Sequence, residues 1–541
     1  MKYKHRVIIG IFYLCCFFCT FPVKAEDYRE KILPPINLQP EQLSIMPKIL
    51  ILHFKIRGNT VFSTFDLSAI ASKYENREIT SVELEQLRKE LTLMYVNKGY
   101  ISSGVIIPDQ RVVNGEIELV VIEGKLTGIE ITGNKYFRSG YISKRLFTTP
   151  EDVANIYHLQ EALLLLQQDT RFKRIKAEFK PGARMGESII AVDVEENTPY
   201  KFGFEISNTI SPSIGGKIGK LFAAHQNLTG NGDVLTLMVG AVPEHANNNV
   251  MEFTYTLPVN AYGTTIGLEY KKNESMVTEE PFNELDIKAV TETYGIVIRH
   301  PFYKKFDREF AIGLRAENRQ TKTYVLDRPF NFELAAEDGK TVVVPLRFFQ
   351  DFNYRSRQQV FVLRSTFSFG INAMDASMLP SGADGKFFSW LGQLQWIRRL
   401  GNTDWQFFFR TDSQLSRDPL LGIEKFSVGG LDTVRGYREN CLVRDNGLVS
   451  SVELRIPLYQ NNEKDRSLQL VPFFDYGRSW NTNQEDPDPS SISSVGIGLR
   501  GKVANNINAE FFYGYALRTI DYPQKDIQDQ GIHFRLIVNL F

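Results

Sequence analysis

The chain has 541 residues, with 63 basic and 63 acidic side chains, 39 glycines and 23 prolines. This length is too great for one ordinary domain, and a charged fraction of 23% without a low-complexity run argues against a largely disordered chain. Four cysteines are too few for a disulfide-stabilised fold, and the balanced charge lacks the basic excess of a nucleic-acid-binding protein. We therefore predict no nucleic-acid partner.

Residues 1–25 have the composition of a secretory signal peptide. A basic start precedes an apolar run over residues 7–23, and Val23 and Ala25 occupy the −3 and −1 positions of a cleavage site. An uncleaved membrane anchor is the alternative, which the marginal length of the run disfavours. Cleavage removes three of the four cysteines and leaves Cys441, so no intramolecular disulfide is expected.

Residues 26–48 are predicted to form a linker. They contain Pro34, Pro35, Pro40 and Pro47, which exclude a long helix because proline removes a backbone donor and clashes with the preceding turn.

Residues 49–123 and 124–197 repeat one order of elements, a strand, two helical stretches and two strands. The alternation of Leu52, Phe54 and Ile56 predicts the first strand, and each unit has a glycine–asparagine turn after its first strand. The units are about 75 residues each and sit in tandem as α+β domains. The other predicted elements are a helix over 82–95, strands over 103–108, 117–123 and 126–131, helices over 139–146 and 157–168, and strands over 175–181 and 188–195.

From residue 198 to residue 541, helical periodicity disappears and stretches of about 10 residues alternate between two faces. In one of them, Leu470 and Phe474 share an apolar face, while Gln469 and Asp475 share the other. This pattern is typical of a transmembrane β-barrel with lipid outside and water inside. A soluble β-sandwich is the alternative, but it would be abnormally large.

Seventeen such stretches are present, whereas bacterial single-chain barrels have even strand numbers. The weakest stretch, 421–428, has its apolar face interrupted by Gly422, Glu424 and Lys425, so we assign it to a loop and predict a barrel of sixteen antiparallel strands. Short and long connections alternate, which places both ends of the barrel and the two small units in the periplasm.

The sequence contains no catalytic or metal-binding motif. The seven histidines are scattered, and the sequence has no HExxH, GxSxG or phosphate-loop pattern. We predict no enzymatic activity, no catalytic residues, no metal and no cofactor.

The longest predicted loop contains Phe-Ser-Val-Gly-Gly at 426–430, followed by Val434, Arg435, Gly436 and Tyr437. The glycines permit tight backbone reversal, and the guanidinium offers five donors to a carboxylate. On spacing alone, an exposed loop with an ordinary arginine is the simpler interpretation.

Several motifs resemble the TpsB transporters of two-partner secretion, the haemolysin secretion/activation family. The turns at 58–62 and 133–137 look like those of POTRA domains, and residues 107–124 resemble the junction found in that family. Residues 227–233, Asn-Leu-Thr-Gly-Asn-Gly-Asp, resemble its first periplasmic turn, and residues 434–437 match its loop motif. The similarity covers nearly the whole mature chain.

The resemblance implies a mainly β protein, a 16-stranded transmembrane barrel preceded by two POTRA domains, in the outer membrane of a Gram-negative bacterium. It also implies that the sixth outer loop folds back into the barrel, where Arg435 pairs with an inward-facing aspartate, here Asp475. The usual N-terminal plug helix of the family has little room in residues 26–48. The predicted domains are a signal peptide (1–25), a linker (26–48), POTRA domain 1 (49–123), POTRA domain 2 (124–197) and the barrel (198–541).

The function implied by the resemblance is export of one large partner exoprotein, of haemolysin or adhesin type, recognised by the POTRA domains. The other partners implied are outer-membrane lipid and the barrel assembly machinery that inserts the protein. Two alternatives remain open: a factor that inserts other barrels, which usually carries more POTRA domains, and a passive porin or ligand-gated receptor.

Overall fold

The computed structural model describes residues 48–146, 153–243, 245–463, 465–504, 506–522 and 524–540. The predicted signal peptide and the predicted linker, apart from residue 48, lie outside the described residues, as does the segment considered for a plug helix. Within the described ranges, no helix is both long enough and apolar enough to cross a membrane.

The first unit is a three-stranded sheet covered by two helices. Its central strand β5 pairs in parallel with β2 and antiparallel with β4, while β1 and β3 form a separate pair. The elements are β1 (Ile49–Ile51), β2 (His53–Arg57), α1 (Thr64–Ala71), β3 (Arg77–Ile79), α2 (Ser81–Asn97), β4 (Gly104–Ile106) and β5 (Glu116–Ile122), with a 3-10 turn over Ser72–Tyr74.

Helix α2 supplies much of the core of this unit. It begins at Ser81 because the Thr80 side chain accepts a hydrogen bond from the Glu83 N–H, and the Glu83 carboxylate accepts one from the Thr80 N–H. Its buried face, which includes Leu87 and Leu91, packs in one apolar cluster with the sheet. Burial of each leucine side chain contributes about 1.5–3 kcal/mol to the stability of the unit.

The first strand differs from the prediction. The alternation placed Leu52 with Phe54 and Ile56, but Leu52 is 48% exposed whereas the other two side chains are buried. The reason is that the chain changes partner at Leu52, from β3 to β5. Strand β3, the partner of β1, has only three residues and therefore shows no alternating pattern in the sequence.

The second unit repeats the sheet order of the first. Strand β8 lies between β6, with which it pairs in parallel, and β7, with which it pairs antiparallel. Its core includes Ile142, Leu159, Ile190 and Val192. The elements are β6 (Lys125–Thr132), α3 (Ser139–Leu146), α4 (Ile156–Gln167), β7 (Phe172–Pro181) and β8 (Glu187–Glu196).

The two glycine–asparagine turns are built in the same way. Gly58 and Gly133 have φ angles of +87° and +80°, and each backbone lies against the central strand of its unit. A Cβ on Gly58 would lie 2.4 Å from the carbonyl oxygen of Val121, and one on Gly133 would lie 2.3 Å from that of Val194. Glycine is therefore required at both positions.

A glutamate at the end of each central strand closes the turn by accepting hydrogen bonds from two successive backbone N–H groups. These bonds join Glu123 to Thr60 (2.7 Å) and Val61 (2.8 Å), and Glu196 to Tyr136 (2.6 Å) and Phe137 (3.1 Å). The carboxylates satisfy turn donors that the sheet leaves without partners.

The remaining chain forms a closed antiparallel barrel, and the prediction of sixteen strands is confirmed. The wall strands are β9 (Tyr200–Ser207), β10 (Ile218–His225), β11 (Val234–Val242), β12 (His245–Pro258), β13 (Thr265–Met276), β14 (Lys288–Lys304), β15 (Arg308–Val325), β18 (Pro345–Arg355), β19 (Gln359–Gly370), β20 (Phe388–Arg399), β21 (Gln406–Ser416), β24 (Asn446–Gln460), β25 (Ser467–Trp480), β26 (Ser491–Val503), β27 (Ile507–Ala516) and β28 (Ile532–Asn539).

Short strands extend the outer loops. Within the loop after β15, β16 (Arg328–Pro329) and β17 (Lys340–Val343) pair with the end of β15, so part of this loop continues the sheet. In the loop after β21, β22 (Phe426–Val428) and β23 (Leu442–Arg444) pair only with each other. The segment 421–428 thus forms no wall strand.

Strands β9 and β28 close the barrel through a narrow seam. Residues 203–207 pair with residues 535–539, whereas β14 and β15 are in register along nearly their whole lengths. Both the start of β9 and the end of β28 lie at the end that carries the short turns. The side chains of β25 alternate, with Asp475 fully buried and Phe474 exposed on the outer surface.

Candidate functional site

The connection between β21 and β24, residues 417–445, lies inside the barrel, and we call it loop six. Its 434–437 segment is buried, with Val434 fully enclosed and Arg435 only 3% exposed. A polar loop placed in solvent has no such burial. The interpretation of an ordinary surface loop is therefore incompatible with the structure.

The structure brings Arg435 and Asp475 together. The Arg435 Nε and Nη2 atoms donate to the two carboxylate oxygens of Asp475, both at 2.8 Å, and the Arg435 backbone N–H donates to the same carboxylate at 3.0 Å. This is the bidentate geometry that a guanidinium can form and an ammonium cannot. One contact thus fixes both the side chain and the backbone of the loop to β25.

Two further residues of β24 complete the polar shell around Arg435. Its Nη1 donates to Glu453 at 2.7 Å, and its Nη2 donates to the Ser451 hydroxyl at 3.0 Å. Ser451 in turn donates to Asp475 at 2.6 Å. Glu453 was not predicted, although Ser451 and Glu453 lie on the same face of their strand and Ser451 pairs in register with Asp475.

Aromatic rings enclose the Arg435 guanidinium. Its central carbon lies 3.6 Å from the ring centroid of Phe473 and 4.7 Å from that of Phe512. These rings exclude water, so that the cation is held both by the carboxylates and by the ring faces. Exclusion of water also makes loss of either charged partner costly.

Gly436 allows the loop backbone to touch the wall. Its φ angle is +95°, its N–H donates to His533 Nε2 at 2.9 Å, and a Cβ would lie 2.9 Å from the Gly514 carbonyl oxygen. Tyr437 donates its hydroxyl proton to the Ser493 carbonyl at 3.0 Å. The Gly436 N–H and the Tyr437 hydroxyl are therefore both satisfied by wall strands.

Arg438, which sequence analysis did not single out, joins loop six to two other outer loops. Its Nη1 donates to Glu279 at 2.7 Å and its Nη2 to Asp529 at 2.8 Å. The guanidinium also lies 3.8 Å from the ring centroid of Tyr522. The only feature of the sequence that points to Arg438 is its position directly after the 434–437 segment.

The turn at residues 227–233 is in contact with the second unit. A Cβ on Gly232 would lie 2.4 Å from the Tyr141 ring, so glycine is needed for this close approach. Arg171 donates to the Gly232 carbonyl at 2.6 Å and to the Tyr141 hydroxyl at 3.0 Å. Burial raises the pKa of the Tyr141 phenol. These contacts fix the second unit to the short-turn end of the barrel.

Each small sheet has two edge strands, each with one edge that joins no further strand in the described part of the chain. These strands are β2 and β4 in the first unit and β6 and β7 in the second. Such an edge offers backbone donors and acceptors to an additional strand.

Among the described residues, no group of histidine, cysteine, aspartate and glutamate side chains is arranged to hold a metal ion.

Comparisons with known proteins match the first small unit and most of the barrel to family models. Residues 186–501 match the family described as haemolysin secretion/activation protein ShlB/FhaC/HecB, and residues 49–124 match the ShlB-type POTRA domain. The hemolysin transporter protein ShlB of Serratia marcescens is 25% identical over 408 residues, which is 72% of this chain and 69% of the relative. The hemolysin transporter protein HpmB of Proteus mirabilis is 21% identical, over 79% of this chain and 76% of the relative.

Solved structures share the whole fold. CdiB from Escherichia coli superimposes with a TM-score of 0.69 at 18% identity and 94% coverage of both chains. BamA from Haemophilus ducreyi lacking POTRA domains 1–3 superimposes with a TM-score of 0.55 at 13% identity, covering 91% of this chain and 100% of the other.

Proposed function

The chain belongs to the haemolysin secretion/activation protein family ShlB/FhaC/HecB, and we propose that its substrate is a single large exoprotein exported by two-partner secretion. It is an outer-membrane translocator with POTRA domains in the periplasm. The observation that carries the proposal is the buried 434–437 segment, held inside a sixteen-stranded barrel that follows the two small units.

The POTRA units capture the exoprotein in extended form. Strands β4 and β7 each have a free edge, and a segment of the substrate adds to one of these edges as a further strand. Backbone hydrogen bonds supply affinity, and side-chain pockets along the edge supply selectivity. This step needs no nucleotide hydrolysis and no enzymatic activity.

The contact between Arg435 and Asp475 holds loop six in the position that transport requires. Val434 anchors the loop in an apolar cluster, while Gly436 and Tyr437 attach its backbone and hydroxyl to neighbouring wall strands. The exported chain passes through the barrel beside this loop. Its folding on the outer side then biases the direction of transport.

The test is co-expression with the large secreted protein that we expect a neighbouring reading frame to encode. The exoprotein should appear in the medium only when the full chain is present, and deletion of residues 49–197 should abolish its release while barrel insertion persists. Release without the translocator would refute the proposal.

A factor that inserts other barrels is the second candidate, favoured by the shared fold with BamA. Depletion of such a factor lowers the amounts of many outer-membrane proteins, whereas depletion of an exoprotein translocator lowers the release of its own substrate. A passive porin or receptor would give neither effect.

A further inference from the structure

Loop six also has an ionic contact with the wall about five strands away from the Arg435 site. Glu424 lies in the 3-10 turn Gly422–Glu424 and is nearly buried. Arg347 of β18 donates through Nη2 to both Glu424 carboxylate oxygens, each at 2.9 Å, and Arg319 of β15 donates to the same carboxylate. We call the contact of Glu424 with Arg319 and Arg347 the latch.

The latch borders a cavity in the lumen. A cavity of about 420 Å³ lies between the wall and the base of loop six, and its lining includes Arg315, Arg347, Arg364 and Glu424. The Arg435 site borders a cavity of only about 70 Å³. A chain that passes beside loop six therefore meets the latch, where open space already exists.

The two contacts differ in what remains after they break. If Glu424 leaves, Arg347 keeps its hydrogen bonds to Glu317 at 2.9 Å and to Ser368 at 2.8 Å. Arg319 loses its hydrogen bond to Glu424, but its side chain is 23% exposed, so water can solvate it. If Arg435 leaves, Asp475 retains a single donated bond from Ser451 and becomes a buried, unneutralised charge. The second loss is far more costly than the first.

The solvent exposure of the two contacts also indicates that the latch is the weaker one. The side chains of Arg319 and Arg347 are 23% and 18% exposed and that of Glu424 is 5% exposed, whereas those of Arg435 and Asp475 are 4% and 0% exposed. Water therefore reaches the two cations of the latch and weakens their pairing with Glu424. The Leu420 and Leu421 side chains next to the latch are buried in an apolar cluster that holds this part of the loop, so release requires movement of the Glu424 side chain and not of the whole loop.

We propose that the latch is the releasable closure of the lumen, while the contact of Arg435 with Asp475 is the permanent attachment of loop six. Release of Glu424 from Arg319 and Arg347 widens the passage between loop six and the β15–β18 wall. The inference deepens the proposed function, on which it rests, by assigning Glu424 as a positioning residue for transport.

The test is single-channel recording of the purified full-length protein in planar lipid bilayers, which needs no exoprotein. The variant Glu424→Gln keeps the shape of the side chain but removes its charge, and its open probability should rise about fivefold, as expected from loss of a partly wet ion pair in a two-state equilibrium. The matched control is Glu269→Gln, because Glu269 pairs with Arg315 on the same wall and has no hydrogen bond to loop six. This control should behave as wild type.

A double-mutant cycle separates the latch from a general loss of charge. Arg347→Gln should also raise the open probability, and the double variant Glu424→Gln/Arg347→Gln should show little further rise. Protection of loop six from protease should stay unchanged in all three variants. Wild-type gating of Glu424→Gln, or additive effects of the two changes, would overturn the proposal even if export by the protein were established. If Glu424→Gln fails to insert, Arg347→Gln carries the same test.

Discussion

Arg435 combines a bidentate carboxylate contact, a second carboxylate and two aromatic rings within one buried site. Its replacement by alanine leaves Asp475 without a cation, and such an unpaired buried charge costs about 3–5 kcal/mol. We expect Arg435→Ala to reduce exoprotein release sharply while the barrel still inserts. Arg435→Lys should restore little, because an ammonium cannot form the bidentate contact.

A double-mutant cycle of Arg435→Ala and Asp475→Ala tests whether the pair acts as a unit. The effects on release and on protease protection of loop six should be clearly non-additive. Glu453 also accepts a hydrogen bond from Arg435, so Asp475→Ala alone should be milder than Arg435→Ala. Equal and additive effects would mean that the pair does not hold the loop.

The inward face of Asp475 could be predicted from the sequence, because neighbours along a barrel strand alternate between water and lipid. Glu453 and Arg438 could not be singled out in this way. Their partners come from strands and loops distant in the chain, and the pattern of a single strand does not contain that information. Only the resemblance to a family joined Arg435 to Asp475.

Glu123 gives the first POTRA unit a dependence on pH. Burial alone raises its pKa, but hydrogen bonds from Thr60 and Val61 outweigh this effect and hold the pKa below its usual value. The stabilisation is therefore present above the unfolded-state pKa, about 4.3, and is lost as pH falls through the lower folded-state pKa.

We expect the first unit to become more sensitive to protease between about pH 5 and pH 3. The variant Glu123→Gln should be less stable at neutral pH and should lose most of this acid-dependent change. A variant with an unchanged acid transition would show that another carboxylate controls it.

At the scale of elements, we expect alanine substitution to have opposite effects at two glycines of the second unit, one in the glycine–asparagine turn and one in a helix. Gly133→Ala places a methyl group against the Val194 carbonyl at a positive φ, and it should destabilise the second unit by about 2 kcal/mol or more. Gly140 lies in α3 with open space beside it, so Gly140→Ala should be neutral or stabilising by less than about 1 kcal/mol. Thermal unfolding followed by limited proteolysis in detergent measures both, and equal effects would contradict the assigned role of the turn.

The elements of both small units could be predicted because their helices and strands have strong periodicities. The exceptions, the break at Leu52 and the short strand β3, have a common physical cause. A three-residue strand contains too few side chains to show a period, and its existence depends on pairing with β1, which is distant in sequence.

At the scale of the whole molecule, the closed barrel predicts resistance to unfolding in detergent. Each wall strand has two hydrogen-bonded neighbours, so no edge is available at which unfolding can begin. We expect the unheated protein to migrate faster than the heated protein in detergent gels, and detergent to be needed for its extraction from membranes. Extraction by salt or carbonate alone would contradict the fold.

The narrow seam between β9 and β28 also bears on how the barrel is made. Its two strands are about 330 residues apart, so bringing them together has the largest chain-closure cost of any pairing in the wall. All other wall strands pair with near neighbours in sequence and form sooner. We therefore expect the nascent protein to pass through an open sheet with two long unsatisfied edges, a state prone to aggregate. Until the seam joins, both edges need protection from pairing with other chains.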